Sequence, residues 1–165
     1  MIDVSGFGAS ITIAALQTFP MGFNLKQLAD DQDPLTFEEV ETTGYEALYD
    51  GSFFFFDKAS IIKVRISVIA GSDDDTNLKI LLQSRKGSSS IIPLPDSTTM
   101  TVSYPNGGRV ILTNGSILSG PFADSISQEA RKKGNVYTFG FGAFAGAQSG
   151  KQLIASLASN LLSLF

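Results

Sequence analysis

Histidine, cysteine and tryptophan are all absent from this chain of 165 residues. Without the first two there is no ordinary general base near neutral pH, no thiol nucleophile and almost no route to a zinc or copper site. Thiol redox chemistry and a disulfide framework are excluded with them, which is compatible with assembly in a reducing cytoplasm. Positive charge is also scarce: 12 Lys and Arg face 16 Asp and Glu, for a formal net charge of −4. That is the wrong sign for a protein that grips nucleic acid through its phosphates, although DNA could pass such a surface without sticking. The start, Met1-Ile2-Asp3-Val4, has no basic stretch leading into an apolar run, so no secretory signal is read there. The length suits one domain with a real core. This composition leads us to expect neither an enzyme nor a bound metal or cofactor.

What is present is clearest from Ile62 to Gly87. Ile62, Val64, Ile66, Val68 and Ala70 alternate with Lys63, Arg65 and Ser67, the period of a strand with one wet face. Gly71 ends it. Ser72 stands three residues before Asp75, placed to cap the first turn of a helix, while Asp73 to Asp75 favour the positive end of its dipole. Leu78, Leu81 and Leu82 then fall on one stripe, and Gly87 is the expected stop.

The rest of the chain reads as short strands. Ala9 to Ala15 alternates, Phe23 to Leu28 is a weaker strand, and Glu46–Asp50 and Ser52–Phe56 flank Asp50-Gly51 as a hairpin. Four consecutive phenylalanines, Phe53 to Phe56, suit a strand buried on both faces or a subunit interface. Pro93 and Pro95 keep their segment out of a central strand. Thr99–Tyr104 and Arg109–Thr113 pair across Pro105-Asn106-Gly107-Gly108, and Asn114-Gly115 punctuates before Ser116–Ser119. In Val136–Phe141, Tyr137, Phe139 and Phe141 share a face.

In this order, several pieces together resemble bacteriophage tail tube proteins of long-tailed, contractile phages. They are Asp31-Gln32-Asp33-Pro34 before an acidic run, Tyr49-Asp50-Gly51, the strand into Gly71-Ser72-Asp73-Asp74, Leu78-Lys79-Ile80-Leu81-Leu82, and Arg131-Lys132-Lys133-Gly134-Asn135-Val136-Tyr137-Thr138-Phe139. The resemblance runs from about Gly6 to Phe141. It implies a mainly β fold, an antiparallel β-sandwich or half-barrel with one flanking helix at about 72–86. It further implies hexameric rings stacked into a hollow conduit, with copies of itself, tail sheath, baseplate and tail terminator proteins as partners. DNA would be only passing cargo, no membrane insertion is implied, and the place would be the virion tail, assembled in the host bacterial cytoplasm.

Residues 1–145 are read as the tube-like β domain. Within it, 29–45 holds Asp30, Asp31, Asp33, Pro34, Glu38, Glu39 and Glu41 with few apolar residues, and is expected to be a protruding loop between subunits or rings. Arg131, Lys132 and Lys133 form the dense basic run. They are either a solvated loop or a rim that meets the acidic loop of another subunit, where opposite charges set register and on-rate. Residues 146–165 depart from the family pattern: Leu153, Leu157, Leu161 and Leu164 recur at helical spacing, in a run too short and too interrupted by Lys151, Gln152 and Asn160 to span a membrane. That helix either docks on its own domain or a neighbour, or makes an extra contact with sheath or next ring.

Other features reduce to structure. Asp73-Asp74-Asp75 lacks the glycine-spaced loop and terminal glutamate of an EF-hand, so capping is preferred to calcium. Gly140, Gly142, Gly146 and Gly150 have no phosphate-loop context. Three other readings stay open: the tube of a contractile secretion or bacteriocin particle, a carbohydrate-binding β-sandwich, and a two-carboxylate hydrolase around Glu38, Glu39 and Glu41.

Overall fold

The computed structural model describes residues 8–87, 96–105, 107–126, 128, 131–145, 158–159 and 161–163. The strands are β1 (Ser10–Ala15), β2 (Phe19–Asn24), β3 (Leu35–Phe37), β4 (Thr43–Ala47), β5 (Phe53–Asp57), β6 (Ile62–Val68), β7 (Thr98–Ser103), β8 (Arg109–Ser119) and β9 (Asn135–Ala145), with the helix α1 (Asp73–Lys86) between β6 and β7. Seven strands form one sheet in the order β2-β1-β7-β8-β9-β6-β3, and β4 and β5 form a separate hairpin. Every pairing between them is antiparallel. The expected mainly antiparallel β fold with one flanking helix is therefore present, and its sheet is open, with β2 and β3 as edges.

Alternation decides which face of the sheet is buried. Ile11 and Ile13 of β1, Met100 and Val102 of β7, Val64 and Ile66 of β6, and Tyr137, Phe139 and Phe141 of β9 form one core with Leu78 and Leu81 of α1. The helix therefore covers one face of the sheet and the opposite face faces outward. Packing is tight enough to require missing side chains. A Cβ on Gly115 would lie 2.1 Å from the Phe141 ring, and one on Gly120 would lie 2.4 Å from the Tyr137 ring.

Three strand boundaries differ from those read in the sequence. The second strand begins at Phe19 rather than Phe23, because the Asp96 carboxylate gathers the amides of Gln17 and Thr18 at 2.9 and 3.0 Å and turns the chain early. Leu28 contributes only an isolated bridge to Val68. In the hairpin the loop is longer than a two-residue turn: β4 ends at Ala47 and β5 begins at Phe53, the Leu48 amide bonds the Ser52 carbonyl at 2.7 Å, and Gly51 takes φ +88° inside the loop. Finally, Asn114-Gly115 does not end a strand. β8 runs through it, with Asn114 at φ 55° and a register slip against β7, which is the signature of a bulge.

Candidate assembly surfaces

The start of α1 is built as its sequence indicates. The Ser72 hydroxyl accepts from the Asp75 amide at 3.2 Å, so Ser72 is the N-cap and Asp75 supplies the capped amide, and Gly87 caps the far end. The acidic triplet then divides its work. Asp74 receives the amides of Lys26 and Gln27 at 2.6 and 2.7 Å, fastening the chain after β2 to the helix. Asp75 is buried and receives the Tyr137 hydroxyl at 2.7 Å, the Asn135 amide at 2.9 Å and the Gly71 amide at 3.0 Å, with Lys79 at 3.0 Å. Burial raises the Asp75 pKa, but these donors outweigh it and leave the carboxyl below its usual value. Lys79 also pairs with Asp124, whose carboxyl is held down to about 2 by that contact first and by Asn135 next. This network joins helix, β9 and the loop before it. Among the described residues, no group of three or more carboxylates is placed to hold a metal.

The acidic segment is not one protruding loop. The Ala29 amide bonds the Ser67 carbonyl, the Ser67 amide bonds the Pro34 carbonyl, and β3 pairs Leu35, Thr36 and Phe37 with Ile66, Arg65 and Val64. Composition hid this because an edge strand needs backbone partners on one side only, and acidic side chains and proline on its free side guard against edge-to-edge pairing. The basic run meets it inside the same chain. Arg131 pairs with Asp30, Asp31 accepts from the Gly134 amide at 3.0 Å, and Lys132 approaches Asp124 at 3.5 Å. Glu38 pairs with Arg65 and Glu41 with Lys58, each at 2.8 Å. Asp33 and Glu39 are exposed. Lys133 lines a cleft with Lys132, Asp124 and Asn135.

The element that does stand out is the β4–β5 hairpin. All four phenylalanines of β5 are exposed, so burial on both faces within one chain, one of the two readings of that run, does not occur. Phe53 and Phe55 share one face with their cross-strand partners Ala47 and Tyr45, with the two rings edge to face at 5.5 Å. Glu41 and Lys58 close the base. Of the C-terminal leucines, Leu153, Leu157 and Leu164 lie outside the described residues, while Leu161 is helical and exposed.

The outward face of the sheet has a different chemistry. Thr12 of β1 lies beside Thr101 of β7, which lies beside Ile111 of β8; Ala14 lies beside Thr99, and Ser10 beside Ser103. Apart from Ile111 these positions are small, and none is charged; Arg109 at the start of β8 lies beside Ser103, and Lys63 and Arg65 stand on β6.

The family described as tail fiber protein gp32 matches residues 2–145. The chain belongs to that family. It is therefore a phage tail-related protein, and its place is the virion tail. No curated protein sequence matches it. Among solved structures it is similar in fold to a chain from a cryo-EM structure of the anti-feeding prophage cap, a tube-terminating cap. The identity is 9%, the match covers 90% of this chain and 93% of that one, and the TM-score is 0.52. The resemblance read from sequence thus holds at the level of the tail, while the family's own description is of a fiber and the solved relative is a cap.

Proposed function

We propose that this tail protein is a tube subunit, whose copies close into rings that stack into a hollow conduit for DNA. The observation that carries the reading is the two-faced sheet. Its inner face packs against α1, and its outer face offers neighbouring Ser and Thr of β1 and β7, with the charge of β8 confined to Arg109 at its end. Those Ser and Thr rows offer phosphates no fixed charge, so DNA passes along them as cargo. Copies of this chain are the primary partners, with sheath, baseplate and terminator proteins at the outside and ends, and no catalytic role is involved. A second reading, a ring that caps the tube, is favoured by the fold shared with a tube-terminating cap. The same fold would also serve a contractile secretion or bacteriocin particle. Negative-stain images of concentrated purified protein should show rings or tubes: long tubes support the subunit reading and single rings the cap. A strictly monomeric mass across the concentration range overturns both.

A further inference from the structure

The hairpin places a large apolar surface where a lone chain has no use for it. Tyr45 is 73% exposed, Phe53 62% and Phe55 66%, all on one face, and Tyr49 at the tip is fully exposed. At about 200 Å² for each aromatic side chain, the exposed parts of Tyr45, Phe53, Phe55 and Tyr49 amount to roughly 600 Å². That is the larger part of one partner's share in a standard-size protein interface, about 800 Å². A two-stranded hairpin is also marginal by itself in water, so it requires cover.

The fold supplies a matching surface on the same chain, and places it at the far edge. The hairpin leaves the sheet between β3 and β6, at one end of the strand order, whereas β2 is the other end. There Met21 is 97% exposed and Leu16, in the turn before β2, is 74% exposed. The Phe19 and Phe23 rings pack edge to face at 4.9 Å beside them. Neither edge suits continuation of the sheet by strand pairing: β2 contains Pro20, and β3 is three residues long and flanked by acidic side chains and Pro34. A contact between opposite edges is therefore made by side chains rather than by the backbone ladder.

We propose that the β4–β5 hairpin of one copy lies across the β2 edge of the next, seating the Tyr45, Phe53 and Phe55 face on Leu16 and Met21. The occupant is a second copy of this chain, and the inference rests on the ring reading above. The contact is heterologous, because the two surfaces lie at different edges of one sheet. Repetition of such a contact closes into a ring or runs on as a filament.

The absence of native cysteine makes the test clean. Two single variants, Phe55→Cys and Met21→Cys, are mixed in equal amounts at assembling concentration and treated with a short bismaleimide. A covalent heterodimer is expected, and the doubly substituted chain should give a ladder of linked oligomers. A product formed only between two Phe55→Cys chains, or only between this hairpin and another protein of a purified tail, overturns the assignment. So does no product at all. If rings are nevertheless visible in the same samples, the ring reading stands and the hairpin contact alone has failed. As a second measurement, Phe53→Ser/Phe55→Ser should keep the melting temperature of the monomer, since the hairpin lies outside the core, and raise the concentration needed for rings by about tenfold or more. An unchanged assembly threshold would refute the contact.

Discussion

Asp75→Ala removes the acceptor at the centre of the network that holds α1 to β9, and its effect can be worked from the contacts. The Tyr137 hydroxyl, in a residue with no exposed surface, loses its carboxylate. Leaving such a buried donor without that acceptor costs about 1–3 kcal/mol. Hydrogen bonds to a charged group contribute about 1.5–3 kcal/mol more, and part of this is retained because Lys79 and Asn135 keep Asp124. The net loss is about 3–4 kcal/mol, which for a chain of this length lowers the melting temperature by roughly 10 °C at about 2–4 °C per kcal/mol. Tyr137→Phe keeps the ring in the core and leaves Asp75 its other donors, so it should cost only about 1 kcal/mol. In the double variant the two losses should fall short of their sum, because they share one bond. Thermal unfolding at neutral pH reads all three. An Asp75→Ala protein melting within about 2 °C of the parent, or a Tyr137→Phe protein as unstable as Asp75→Ala, would refute the account.

The same network sets an acid limit. Asp75 and Asp124 both have folded pKa values below the ordinary 3.8, with Asp124 at about 2. Their contribution is therefore complete above the unfolded value and is lost as pH falls from about 4 through the folded values. Asp75→Ala should flatten part of that acid decline.

Two further substitutions probe the fold. Gly115→Ala drives a methyl into the Phe141 ring and, at about 1–3 kcal/mol for an overpacked core, should lower the urea midpoint without changing the slope. Ser72→Ala removes the cap from α1 and should cost about 1 kcal/mol with ring geometry in images unaltered; an unchanged melting temperature would mean that the hydroxyl does not carry the helix start.

Much of the scaffold follows from local pattern alone. Alternation in β6, β7 and β9 and the Ser72-to-Gly87 punctuation of α1 correspond to the observed elements, because side-chain period and helix capping depend on residues a few positions apart. The absence of His, Cys and Trp narrows the chemistry before any fold is known. Tertiary structure decided what involves distant partners. Asp75 read as part of a cap and proved to be the buried acceptor for Tyr137 and Asn135, about 60 positions away. Residues 29–45 read as one loop, and β3 within them goes unseen, because edge strands draw their order from a neighbour's backbone, here β6, and not from their own side chains. Phe53 to Phe56 show the same limit in reverse. Hydrophobicity predicts that a surface will be covered but not by what, and the sheet order leaves these rings outside the core of their own chain.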